Sequence, residues 1–98
     1  MTQGEVREWR SPAGPLRVLV LSPETYSATG WPVCAVIVRA GEGSPYVVPL
    51  ADPDPIGGRI VLGTIAAIPA AELGDSVGMV TGATWDRVQR GLRLMLGL

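Results

Sequence analysis

The chain contains no histidine, a single cysteine (Cys34) and eight basic residues, every one an arginine. That inventory restricts the available chemistry. Without histidine, proton transfer falls to carboxylates, arginine, hydroxyls or water. One cysteine makes no intramolecular disulfide, and a Cys/His metal site is excluded. Cys34 lies in the apolar run Val33 to Val38 and reads as a buried, inert thiol. Arginine presents a planar fork that matches phosphate at two points, where lysine offers a point charge. Base composition of the gene is the competing account of an all-arginine set. Two arginines stand where apolar segments meet loops. Arg17 lies at the start of Leu16 to Leu21, and Arg39 precedes the flexible tip Ala40-Gly41-Glu42-Gly43. Each reads either as a phosphate ligand or as a solvated surface charge.

The elements that must position these residues are short. Ninety-eight residues, 47% of them apolar, make one domain. A chain of this size buries roughly 60–65% of its unfolded surface, so association with a second copy is a natural way to bury more. The net charge of −1 and pI near 5.2 are not the global signature of a nucleic-acid binder, although a local basic patch is independent of that sum. Glycine and proline punctuate the sequence closely, as many short strands require. Glu5 to Trp9 is a candidate strand, followed by a loop over Ser11 to Pro15. Leu16 to Leu21 and Val33 to Val38 read as strands buried on both faces, and Tyr46 to Leu50 as an edge strand carrying prolines. Arg59 to Leu62 and Thr64 to Ile68 follow, with Gly63 a possible bulge between them. From Trp85 the apolar residues Trp85, Val88, Leu92, Met95 and Leu96 recur at helical spacing, which predicts one helix over about 83–97. Thr81 or Thr84 is placed to cap it and Gly97 to stop it. The fold class expected is mainly β (α+β), a small antiparallel barrel or half-barrel with a C-terminal helix. Met1 to Trp9 is polar and charged, unlike a signal peptide, and no apolar run reaches the ~18–20 residues of a membrane span. A cytoplasmic domain with no membrane contact is expected.

The order of segments resembles the MazF/PemK family of toxin endoribonucleases. Gly4-Glu5-Val6 matches the family's opening strand. Ala13-Gly14-Pro15-Leu16-Arg17-Val18-Leu19-Val20-Leu21-Ser22 matches its "RPVLVLS"-like strand, and Pro45-Tyr46-Val47-Val48-Pro49-Leu50 its "PFEVPL"-like strand. Gly78-Met79-Val80-Thr81-Gly82, leading to Leu96-Gly97-Leu98, matches its closing helix. The likeness spans nearly the whole chain. It implies an SH3-like barrel, a homodimer, metal-independent cleavage of single-stranded RNA without a cofactor, and neutralisation by a cognate antitoxin. The chain departs from the pattern at the family's catalytic positions. The catalytic arginine falls at Leu16, with Arg17 in the following proline's place, and the catalytic threonine falls near Val38 or Arg39.

Metal-free RNA cleavage requires a deprotonated 2′-hydroxyl, a stabilised phosphorane and a protonated 5′-oxygen. Arg17 is the first choice for the phosphorane and Arg39 for a second phosphate contact. Because one step along a strand turns a side chain to the opposite face, Arg17 would replace the family's arginine only if its strand began irregularly at Pro15-Leu16. Glu24 is a possible general base, against the plainer role of an exposed loop acid. Thr25, Tyr26 and Thr29 are possible substrate contacts or turn caps. Trp31 is a base-stacking platform or an interface residue. Trp9 and Trp85 read as packing residues, and Arg87, Arg90 and Arg93 as a solvated helix face. The antitoxin would present an extended acidic segment to Arg17 and Arg39. The rival reading is a binding module on the same scaffold, either catalytically silent or inhibiting DNA gyrase as CcdB toxins do.

Overall fold

The computed structural model describes all 98 residues. Six strands, β1 (Glu5–Ser11), β2 (Gly14–Val20), β3 (Val33–Val38), β4 (Val47–Pro49), β5 (Arg59–Ala67) and β6 (Leu73–Met79), form one sheet in the order β4-β5-β3-β2-β1-β6. Every neighbouring pair is antiparallel. One helical turn, α1 (Glu24–Ser27), interrupts the β2–β3 connection, and α2 (Gly82–Leu96) ends the fold. The sheet is open, with β4 and β6 as unpaired edges, so the half-barrel expectation holds and a closed barrel does not.

Of the segment expected to be buried on both faces, Val18 to Leu21 is, because its residues alternate between two cores, whereas Leu16 and Arg17 are exposed at its start. Leu19 and Leu21 join Val6, Ala35, Ile37, Ile60 and Leu62 beneath α2. Val18 and Val20 join Cys34, Ile68 and Leu73 on the opposite face, where Trp9 and Val36 pack and only a short 3-10 turn, Ala70–Glu72, lies alongside. Burial pushes the Cys34 thiol up to about 12, so it stays protonated and inert.

The hairpin between β1 and β2 is tighter than the expected loop, and β2 starts at Gly14. The Ser11 hydroxyl donates to the Gly14 carbonyl, and the pairs run from Ser11↔Gly14 to Val6↔Leu19 without a shift. The two short strands expected over 59–68 are one strand. Its irregularity lies opposite Cys34 to Val36, where Thr64 Oγ1 accepts from the Val36 amide (2.7 Å) and donates to the Val61 carbonyl (2.7 Å). That hydroxyl supplies bonds the distorted ladder lacks. Strand β6 was not expected. Gly74, Asp75, Ser76 and Gly78 are turn-forming types, and β1 holds them extended through a pairing with two register shifts.

Helix α2 follows its sequence signals. Thr81 caps it, accepting from the Thr84 amide at 3.2 Å. Gly97, at φ +71°, ends it, and the Leu98 amide donates to the Arg93 carbonyl at 2.8 Å. Trp85, Val88, Leu92 and Met95 face the main core, whereas Leu96 is solvent-exposed, one position off the stripe. Full burial of a side chain such as Val88 contributes about 1.5–3 kcal/mol. Gly91 sits where the helix touches the sheet. A Cβ there would lie 2.5 Å from Leu62 Cδ1 and 3.4 Å from the Pro45 carbonyl oxygen. Leu62 is fully buried and has no space into which to withdraw. Gly91→Val is therefore expected to lower the unfolding free energy by about 1–3 kcal/mol; an unchanged urea midpoint would show that helix and sheet do not meet this closely.

Candidate nucleic-acid interface

Alternation along three adjacent strands gathers the charged side chains on one face. In β1, Glu8 and Arg10 share the face of Val6; in β2, Arg17 shares that of Leu19. Glu8 stands directly opposite Arg17, and Arg17 directly opposite Ile37. Arg39 lies two residues beyond Ile37, in the same alternation. The main core fills the centre of this face, and the charges stand beyond its margin. There they border an open groove of about 520 Å³. Ile37 and Ile56 form part of its apolar lining, and Glu8, Arg10, Arg17 and Arg39 are its charged groups.

The groove is electropositive and its charges are free. Three guanidiniums face one carboxylate. The chain's only salt bridge, Arg7 to Glu5 at 3.3 Å, lies elsewhere. Arg10 spends one nitrogen on the Ala71 carbonyl (3.1 Å). Glu8 and Arg17 form no ion pair, although opposed positions bring Cβ atoms to about 4.5–5.5 Å. Unpaired arginines flanking an apolar lining suit a phosphodiester, which takes two-point contacts at phosphate and apolar contact at the base. No three Cys, Asp or Glu side chains are grouped to hold a metal ion, and no helix is long and apolar enough to cross a membrane.

Arg17 and Arg39 are thus brought together, as expected. The geometry differs from the expectation in one respect. Strand β2 begins regularly, so Arg17 points to the face opposite Leu16. Leu16 and Val38, positions that match the family's catalytic pair, alternate onto the face of the second core, which carries Val18 and Val36, yet both also border the groove at the sheet's end. The other four candidates lie apart. Glu24, Thr25, Thr29 and Trp31 are exposed in the connection that leaves the far end of β2, and none borders the groove. Glu8 and Arg10 were not singled out by sequence. Their signal was the alternation Val6, Glu8, Arg10, which becomes informative once β1 is known to pair with β2.

One wall of the groove, Ile56 and Gly57, belongs to the β4–β5 loop, which is clamped at several points. The buried Asp54 carboxylate accepts from the amides of Ala51 (3.0 Å) and Thr81 (2.8 Å) and from the Thr84 hydroxyl (2.7 Å). This ties the loop to the N-terminus of α2. Gly58, at φ +115°, presses on the end of β3; a Cβ there would lie 2.5 Å from the Val38 carbonyl oxygen. Burial alone would raise the Asp54 carboxyl, but those amide and hydroxyl donors outweigh it and hold it below its ordinary value of 3.8.

No protein-family model matches the chain, and no curated protein matches it by sequence. Solved structures do. An endoribonuclease in complex with its cognate antitoxin, from a mycobacterial species, superimposes with a TM-score of 0.95 at 26% identity, covering 100% of this chain and 96% of that one. A second mycobacterial endoribonuclease gives 0.89 at 26% identity, covering 100% and 92%. MazF in a MazE–MazF crystal from Deinococcus radiodurans gives 0.88 at 19% identity, covering 100% and 96%. The chain has the MazF fold. The segment order that resembled this family is thus accompanied by a shared fold over the full length.

The Asp54 clamp of this MazF-fold chain sets a pH dependence. A carboxyl held low in the folded state contributes stability that is present above the unfolded value near 3.8 and is lost as pH falls through the lower folded value. Acid titration of Asp54→Asn is expected to show a shallower loss of stability below about pH 4 than the parent. Parallel acid-unfolding curves would place the acid-labile charge elsewhere.

Proposed function

We propose that this chain is the toxin of a type II toxin–antitoxin pair and cleaves single-stranded RNA in the arginine-lined groove. The observation that carries the reading is the pair of unpaired arginines, Arg17 and Arg39, beside Glu8 on one face of a fold shared with endoribonucleases over its full length. Arg17 and Arg39 grip the non-bridging oxygens of the scissile phosphate and stabilise the charge that develops there. Glu8 replaces Glu24 as the base. It accepts the 2′-hydroxyl proton, the 2′-oxygen attacks phosphorus, and the bond to the 5′-oxygen breaks as that oxygen takes a proton from water. The products are a 2′,3′-cyclic phosphate and a 5′-hydroxyl, and no step calls on a cofactor. The gyrase-binding alternative is not favoured, because the endoribonuclease likeness covers the entire chain.

Purified protein is expected to cut a long single-stranded RNA in the presence of EDTA. Arg17→Ala is expected to slow cutting by about 100–1000-fold, equivalent to about 3–4 kcal/mol for one lost donor, with thermal stability unchanged, since Arg17 is exposed. Arg39→Ala should cost less. Full activity in Arg17→Ala would remove that residue from the mechanism, and inactivity of the parent on every RNA would leave a non-catalytic binding module.

The chain acts as a homodimer through the face of the second core. That face carries only a short 3-10 turn, and it leaves Leu16 37% exposed over a cluster of only five buried residues. Light scattering is expected to give twice the chain mass for the parent and a monomer for Leu16→Glu. A monomeric parent at tens of micromolar would contradict the assignment. An antitoxin, the kind of partner in the mycobacterial complex, would here present an acidic extended segment that competes with RNA for Arg17 and Arg39.

A further inference from the structure

Helix α2 and the edge strand β4 border a second groove, of about 280 Å³, that shares no lining residue with the first. Arg87, Arg90 and Leu94 line its helix side, Pro45, Val47 and Pro49 its strand side, and no carboxylate borders it. Both arginines are exposed and neither joins an ion pair. Arg90 spends only its Nε, on the Asp86 carbonyl at 3.4 Å. Two such guanidiniums, three residues apart on one helix face, suit successive phosphates of one strand.

The strand side supplies acceptors only. The Leu62 amide donates to the Tyr46 carbonyl and the Leu50 amide to the Gly58 carbonyl, so Tyr46, Val48 and Leu50 turn their bonds toward β5. Val47 and Pro49 therefore turn theirs outward. The Val47 amide is spent on the Ser44 carbonyl at 3.1 Å, and Pro49 has none. A protein strand must exchange donors and acceptors with an edge, and here it finds no donor. A ribose needs none, because its 2′-hydroxyl donates to a carbonyl.

The two grooves meet at one end of the sheet. Arg59 stands opposite Val38, which borders the first groove, and opposite Pro49, which borders the second. One strand separates them, so Val38 and Pro49 lie about 10 Å apart. Arg59 itself is half-buried and joins no ion pair. We propose that the second groove holds the flank of the same single-stranded RNA whose scissile phosphate lies in the first. Arg59 contacts the phosphate that crosses β5, and Arg87 and Arg90 take those that follow. The Val47 and Pro49 carbonyls accept from 2′-hydroxyls, and Pro45 and Leu94, the latter 58% exposed, give apolar contact to a sugar or base. The inference rests on the RNA reading of the first groove and adds to it a dependence on strand length.

The test uses the intact protein and two fluorescein-labelled oligodeoxyuridylates, one of about 5 and one of about 12 nucleotides. Lacking the 2′-hydroxyl, neither can be cut. Anisotropy titrations across a salt series count phosphate contacts, because the logarithm of affinity falls against that of salt by about 0.7 per contact on a single strand. The long strand is expected to give the steeper slope, by about 2 for Arg59, Arg87 and Arg90 together. Arg87→Ala/Arg90→Ala should reduce that difference by about 1.4, with the circular dichroism spectrum unchanged because both positions are exposed. Arg93→Ala, which removes an exposed charge of the same helix outside both grooves, should leave it as it is. In a Glu8→Gln background, which keeps RNA intact, the long ribose strand should bind about threefold to tenfold more tightly than its deoxy counterpart, a gain the short pair lacks. Equal slopes for the two lengths, or a difference indifferent to Arg87 and Arg90, would overturn the proposal. The absence of a ribose gain would overturn the contacts assigned to β4. A slope difference that depends on Arg87 and Arg90 in a protein that cuts no RNA would uphold this groove and refute cleavage in the first.

Discussion

The unbroken pairing of β1, β2 and β3 is the constraint on which the rest of the molecule depends. From Ser11↔Gly14 to Val6↔Leu19, and from Arg17↔Ile37 to Val20↔Cys34, the register runs without a slip. Side-chain alternation then does two things at once. It sends Leu19, Ala35 and Ile37 under α2, and it leaves Glu8, Arg17 and Arg39 on the same face beyond the reach of the helix. A shift of one residue would bury Arg17 where charge is costly and expose Leu19. The core and the groove are therefore set by the same register, and neither can move without the other.

Around this centre the loops act as fasteners. Asp54 joins the β4–β5 loop to the N-terminus of α2, and Gly58 and Gly91 let backbone or helix approach the sheet where a side chain would collide. The outcome is a groove with one flexible charged rim and one fixed apolar wall. In the proposed reaction, long arginine side chains follow a phosphate as its charge grows, while the wall holds the nucleotide in place. At the sheet's edges the protection differs. Pro49 and the Ser44–Val47 turn remove donors from β4, and register shifts distort β6 where it meets β1.

Much of the fold was legible because the physics is local. Leu16 to Leu21 and Val33 to Val38 are dense in β-branched and leucine residues, and α2 carries a cap, a stripe and a stop. Leu73–Met79 was not legible. Its glycines, aspartate and serine favour turns, and only the partner strand makes them extended. The candidate site was legible in part. Arg17 and Arg39 were found by type and by their position at segment ends. Glu24 was chosen for closeness in sequence to Arg17, but β2 carries the chain away at about 3.3 Å per residue and delivers Glu24 to the other end of the sheet. Glu8 is distant in sequence and adjacent in space, a relation that exists only through pairing. The irregular start of β2 that would have turned Arg17 to the family arginine's face is absent, because Pro15 fits into a regular hairpin opposite Arg10.

The central claim is that the substrate phosphate lies on the face of Arg17, not on the face of Leu16 and Val38. A crystal structure of the chain with a single-stranded oligonucleotide, made uncleavable by a 2′-deoxy substitution at the scissile position, tests this most directly. The account predicts a phosphate within hydrogen-bond distance of both the Arg17 and Arg39 guanidiniums, with the neighbouring 2′-carbon turned toward Glu8. Phosphates seated instead against Leu16 and Val38, with Arg17 and Arg39 free in solvent, would contradict it.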